Sequence, residues 1–163
     1  MREDREVLAY FVTFTRYGTW LHGDARDSNF QRRPGEVLHL DPNPARLRYA
    51  QQRLAHDPMT LDASRREVVD AAIREACEFK GWYLPALNVR TNHVHLVVAA
   101  EIHPDRVVPT VKARATFRLR ERRLTAPGEP VWTEGASTHW LWTEDEVSSC
   151  CAYVLEGQGP DLA

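Results

Sequence analysis

Asn92-His93-Val94-His95-Leu96-Val97-Val98-Ala99-Ala100 reads as a β-strand. Val, Leu and Ala dominate after Asn92, and Leu96 to Ala100 is an unbroken apolar run, the composition of a central strand buried on both faces. Side chains alternate along a strand, so His93 and His95 leave one face together while Val94 leaves the other. Two imidazoles one pleat apart can reach a single metal ion. The structural alternative is a strand cap and a hydrogen-bonded core histidine.

Working outward, Arg90-Thr91-Asn92 is a tight turn, and Trp82 to Arg90 before it is a second strand, giving an antiparallel hairpin. Asp62 to Lys80 is the clearest helix. Ser64-x-x-Glu67 is a capping-box pattern, Val69, Ile73 and Ala76 line one face with Val68, Ala72 and Phe79 beside them, and Gly81 stops it. Leu8 to Tyr17, rich in β-branched and aromatic residues, is a first strand ending at Gly18. Between lies an insert, about 19–60, too punctuated by Pro and Gly for a long element; a short helix fits from the Asn43 cap and Pro44 through Leu47, Ala50 and Leu54.

Downstream of the histidines, a basic helix follows Pro109, with Val111, Ala115, Leu119 and Phe117 as its buried positions, and Pro127-Gly128-Glu129-Pro130 ends it. Val131-Trp132-Thr133 and Thr138-His139-Trp140-Leu141-Trp142 are short strands whose tryptophans serve as core or as a base-stacking platform. Thr143, with Glu146 three residues on, caps a last helix whose apolar side is Val147, Cys150, Cys151 and Val154; Tyr153 lies in it, and Gly157-Gln158-Gly159-Pro160 ends it. The order β, insert, α, β, β, α, β, α describes an α+β fold with a ferredoxin-like (RRM-like) antiparallel sheet.

With 163 residues, 43% hydrophobic and 27% charged, the chain is expected to form one domain over 1–163. No apolar run approaches the roughly 20 residues of a membrane helix, and Met1 to Glu6 lacks the apolar core of a signal peptide, so a cytoplasmic protein with no membrane association is expected. Cys77, Cys150 and Cys151 include no Cys-x-x-Cys and are expected as reduced thiols. The net charge of −2 argues against a nucleic-acid partner, but its distribution argues for one. Between Arg106 and Arg123, seven cations face Glu121 alone, a net of +6 suited to phosphates, whereas Trp142 to the end carries −5.

These residues resemble the single-tyrosine HUH transposases of the insertion-sequence-200-like and REP-associated types. Thr-Asn-His93-Val94-His95-Leu-Val-Val is close to the family's His-hydrophobic-His strand, and the basic helix, the Trp-containing stretch and a helix with one tyrosine follow in the family's order. Tyr17-Gly18-Thr19-Trp20-Leu21-His22-Gly23-Asp24 is similar to the start of one subgroup.

The resemblance implies an HUH-endonuclease fold and a transposase that cuts and joins single-stranded DNA through a 5′-phosphotyrosine on Tyr153. His93 and His95 would hold Mg²⁺ or Mn²⁺, although imidazoles alone would equally suit zinc. The implied partner is single-stranded DNA bearing a hairpin, held by Lys112, Arg114, Arg118 and Arg122 of the basic helix. The family contains both monomers and homodimers with shared active sites, and the sequence does not choose between them.

Many members place Gln or Asn four residues after the tyrosine as a third ligand, and here that position is Gly157. On a continued helix Glu156 would lie about 60° from Tyr153 and Gln158 about 140°. If Gly157 unwinds the end, Gln158 swings toward the metal and supplies the amide of the family pattern; Glu156 stays the alternative. Two other functions compete with the transposase. One is a non-cleaving single-strand-binding module derived from such an enzyme. The other is a small His-x-His metalloenzyme acting on a metabolite, which would need further strand-borne ligands.

Overall fold

A computed structural model of the chain describes residues 6–18, 29–33, 36–39 and 60–156. Strands β1 (Ala9–Thr15), β4 (Tyr83–Val89), β5 (His93–Ala99) and β6 (Ser137–Leu141) form an antiparallel sheet in the order β4-β5-β1-β6. The β5 strand is central, as its two-sided apolar composition requires, with Val94, Leu96, Val97 and Val98 all fully buried. Its hairpin to β4 closes where Arg90 N donates to His93 O at 2.8 Å. Inside the insert, β2 (Asn29–Arg33) and β3 (Glu36–His39) pair as a separate hairpin, which the sequence reading does not contain. The short helix expected after Asn43 lies outside the described residues.

Two helices cover one face of the sheet. In α1 (Ala63–Lys80), Val69, Ala72, Ile73, Ala76 and Cys77 recur at helical spacing and are buried, and Gly81 closes it at φ 72°. Asp62 caps this helix, its carboxylate accepting from Arg65 N at 2.9 Å, so Ser64 falls inside the first turn rather than capping it. The second, α2 (Pro104–Glu121), starts five residues before Pro109, with His103 as N-cap. Pro109 sits inside it because the proline removes one backbone bond near the start, while Val107, Val111, Ala115 and Leu119 are fully buried and hold the helix to the sheet. Phe79 and Phe117, expected in the interface, are instead 85% and 53% exposed. Together with Tyr10, Val12, Phe14, Leu87 and Val89 of the strands, these helices form the main core.

The opposite face carries α3 (Glu144–Glu156). Its start is the reciprocal box expected, with Glu146 N donating to Thr143 Oγ1 at 3.2 Å and Glu146 Oε2 accepting from Thr143 N at 3.0 Å. Only Val154 of this helix is buried, against Ala9, Ala86, Val97 and Leu141. The Val131-Trp132-Thr133 stretch is not a strand but a single bridge, Arg16 to Trp132. The three cysteines are unbridged. No helix among the described residues is long and apolar enough to cross a membrane.

Candidate active site

The face under α3 is set by register. Thr13 of β1 and Asn88 of β4 stand directly opposite His95, and Thr15 opposite His93. Opposed residues in an antiparallel pair share a face, so the two histidines emerge between Thr13, Thr15 and Asn88. Their ring centroids lie 4.5 Å apart.

Each ring has an oxygen on Nδ1. Thr13 Oγ1 lies 2.7 Å from His95 Nδ1, and Asn92 Oδ1 lies 2.6 Å from His93 Nδ1. The amide oxygen can only accept, so His93 carries its proton on Nδ1 and keeps the lone pair on Nε2. The Thr13 hydroxyl can accept from or donate to His95 Nδ1, and coordination through Nε2 requires it to accept. Holding Nδ1 this way orients an imidazole for coordination through Nε2. Burial, with the charges of His93 and Arg90, lowers the His95 pKa to about 3, so its ring is neutral at ordinary pH, as a metal ligand must be. The pair therefore fits a divalent cation as two parts of a donor set.

Among the described residues no three His, Cys, Asp or Glu side chains gather into a metal-holding group. Glu156 is the last residue of α3. Gln158 lies outside the described residues.

Tyr153 comes to this face on α3. Its ring centroid is 5.9 Å from that of His95 and 6.0 Å from that of Phe11, and the residue is 49% exposed. Asn88 ties the helix down beside it: Nδ2 donates to Val154 O at 2.9 Å. Phe11 is the hub, stacked on His95 at 5.7 Å on one side and on His139 of β6 at 5.9 Å on the other. Burial lowers the pKa of this third imidazole. Sequence reading missed Phe11, Thr13, Asn88 and His139 as neighbours of the site. The position of Asn88 follows from the turn, because closing Arg90 on His93 puts Asn88 across from His95; the other three depend on which strands become neighbours.

The basic helix α2 is in the layer across the sheet. There Arg114 and Arg118 both clasp Glu75 of α1, with Arg118 Nη2 at 2.6 Å and Arg118 Nη1 also on Glu121 at 2.6 Å. Arg118, then Arg114, hold the Glu75 carboxyl down at about 2. Both guanidiniums also lie by the Phe117 ring, at 5.4 and 6.0 Å. Lys112 Nζ donates to Thr133 O at 2.9 Å and to Gly135 O, and burial lowers its pKa. Arg122 is exposed just past the end of the helix. The structure thus brings His93, His95 and Tyr153 together and leaves Lys112, Arg114, Arg118 and Arg122 on the other layer, three of the four already bonded within the fold.

A four-stranded antiparallel sheet with two helices behind it, and a His-hydrophobic-His strand facing a tyrosine helix in front, is the architecture of the HUH single-tyrosine class. The family model described as "Transposase IS200 like" matches residues 58–154, more than half of the chain, and the chain belongs to that family. Among solved structures it is similar to a REP-associated tyrosine transposase bound to a REP hairpin, with 11% identity and a TM-score of 0.52 over 94% of this chain and 68% of that one. It is similar also to a Deinococcus radiodurans R1 protein with a provisional transposase label, with 16% identity and a TM-score of 0.52 over 100% of both chains. At these identities the likeness is one of fold. Comparison with curated proteins gives no match.

Proposed function

We propose that this family member cuts and rejoins single-stranded DNA through Tyr153, with His93 and His95 holding Mg²⁺ or Mn²⁺ and Gln158 as the third donor. The observation that carries this is the convergence, on one face, of two oriented imidazoles 4.5 Å apart and a half-exposed tyrosine 5.9 Å from the nearer ring. A bound divalent cation would neutralise charge on the phosphate oxygens.

The rest falls to residues of the chain. Thr13 and Asn92 keep the imidazoles oriented, and Asn88 fixes α3 so that the phenol stays beside them. The Tyr153 oxygen attacks phosphorus, its proton passing to solvent, and a P–O bond forms as the bond to the 3′-oxygen breaks; that oxygen takes a proton and leaves as a 3′-hydroxyl. The ester is conserved in the 5′-phosphotyrosine, so another 3′-hydroxyl can reverse the step and join strands. The exposure of Tyr153 suits a macromolecular substrate. A strand bearing a hairpin is the substrate we propose, supported by the hairpin on the REP-associated neighbour. Lys112, Arg114, Arg118 and Arg122 are proposed as backbone contacts, the clasped arginines using donors that Glu75 leaves over.

The test is a covalent adduct. Wild type with Mn²⁺ and a hairpin-bearing single strand should give a denaturant-resistant, protease-sensitive band whose nucleotide maps to Tyr153, and Tyr153→Phe should bind the strand and give none. An adduct persisting in Tyr153→Phe would refute the assignment. Salt-sensitive binding with no adduct in wild type would instead select a non-cleaving binding module.

A further inference from the structure

Among the described residues, Arg16 alone has enclosed side-chain nitrogens, Nε and Nη1, with no hydrogen-bond partner. The residue is 3% exposed. An unpaired guanidinium in that position is strongly unfavourable, and its backbone supplies no relief, being committed elsewhere. Its N donates to Asn92 O at 3.1 Å, and its O accepts from Thr133 Oγ1 at 2.8 Å.

The surroundings are positive. Continuing the alternation of Tyr10, Val12 and Phe14 sends Arg16 toward the helical layer, where the Arg65 charge acts on it. Arg65 and Arg66 stand in the first turn of α1, an 18-residue helix whose N-terminus adds partial positive charge. The carboxylate there is used up: Asp62 accepts from Arg65 N through Oδ1 and from Arg65 Nη1 through Oδ2. Arg65 is balanced by Asp62 and Arg66 donates to Leu61 O, which leaves the buried Arg16 guanidinium, near a helix N-terminus, as the cation without a partner among the described residues. The location is telling. Thr15 pairs with His93 and Arg16 N binds Asn92 O, so Arg16 is one residue past the histidine pair at the same end of the sheet.

We propose that Arg16 anchors an anion site that takes a backbone phosphate of the DNA strand running to the His93 end of the sheet. The planar fork of a guanidinium matches a phosphate bidentately, and a polynucleotide supplies one such anion per residue. The identity of the anion rests on the DNA reading above; the need for one rests on Arg16 itself.

The experiment uses the full chain, inorganic phosphate, and a hairpin-bearing single-stranded oligonucleotide. At fixed ionic strength, replacing chloride by phosphate should raise the melting temperature of wild type. Arg16→Met should melt at or above wild type in chloride, because an unpaired buried charge is gone, and should not respond to phosphate. It should bind the oligonucleotide about tenfold more weakly, with a salt slope flatter by about 0.7, the loss of one single-strand phosphate contact. A variant that keeps the phosphate response and the slope overturns the proposal. So does one that melts well below wild type in chloride with unchanged oligonucleotide affinity, the result expected if a carboxylate of this chain were the partner. Should Arg16→Met not fold, Arg16→Lys decides: it keeps the charge but loses the fork, so it should respond several-fold more weakly to phosphate, and an equal response overturns the site. Adduct formation is read separately. Wild type without adduct but with the Arg16-dependent phosphate response supports the anion site while sinking the nuclease reading.

Discussion

Thr13→Val tests the site through a residue bonded to one of the proposed metal ligands. The change replaces the hydroxyl 2.7 Å from His95 Nδ1 with a methyl group of similar size, at a residue fixed opposite His95 by the β1–β5 register. His95 is 7% exposed, so with the hydroxyl accepting, as coordination through Nε2 requires, Nδ1–H loses its acceptor where water hardly reaches. An orphaned buried donor costs about 1–3 kcal/mol. At roughly 2–4 °C per kcal/mol for a domain of this size, the metal-free protein should melt about 2–12 °C lower. Losing the group that orients a ligating imidazole weakens metal binding about 10- to 100-fold. Calorimetric Mn²⁺ titration and thermal melts of wild type, Thr13→Val and Thr13→Ser provide the assay, with Thr13→Ser expected to recover most of both losses. If Thr13→Val melts with wild type and binds Mn²⁺ as tightly, the hydroxyl does not hold His95 and the two-imidazole site is wrong.

Three further outcomes are expected. His93→Ala and His95→Ala should each abolish adduct formation and weaken Mn²⁺ binding while preserving the fold, and unchanged affinity in a calorimetric titration of both would remove the metal assignment. Asn88→Leu should slow adduct formation with little change in oligonucleotide affinity, because it releases α3 at Val154 while leaving α2 untouched; single-turnover rates alongside anisotropy would show otherwise if both moved together. Glu75→Gln should free Arg114 and Arg118 and raise single-strand affinity with a steeper salt slope, and an anisotropy series with identical slopes would mean these arginines meet no phosphate. Acidification should not imitate that change between pH 7 and 5: with the folded Glu75 carboxyl held at about 2, below its ordinary range, the clasp is complete above that range and is lost only as pH falls toward 2.

The order of elements and the histidine strand were legible because local chemistry specifies them. The unbroken apolar run Leu96 to Ala100 after His93 and His95 suits a central strand, apolar spacing marks α1, and Thr143 with Glu146 caps α3 through bonds that span three residues. Legibility failed where local signals compete. Asp62 and Ser64 are both good caps, and the choice went to the carboxylate that could also pair with Arg65. Pro109 reads as a boundary in sequence, yet helix α2 runs through it because burial of Val107, Val108 and Val111 on the sheet outweighs one missing backbone bond. The +6 run is a property of composition, but whether it is free to meet phosphate depends on Glu75, which lies on another helix and is brought into reach only by packing. The site divides the same way. Sequence alone determined that His93 and His95 share a face, since one pleat suffices. Only the tertiary structure decided that β1 would lie beside β5, setting Thr13 on His95, Phe11 between His95 and His139, and Arg16 beneath the start of α1, because strand neighbours are chosen by the whole buried surface and not by any stretch of chain.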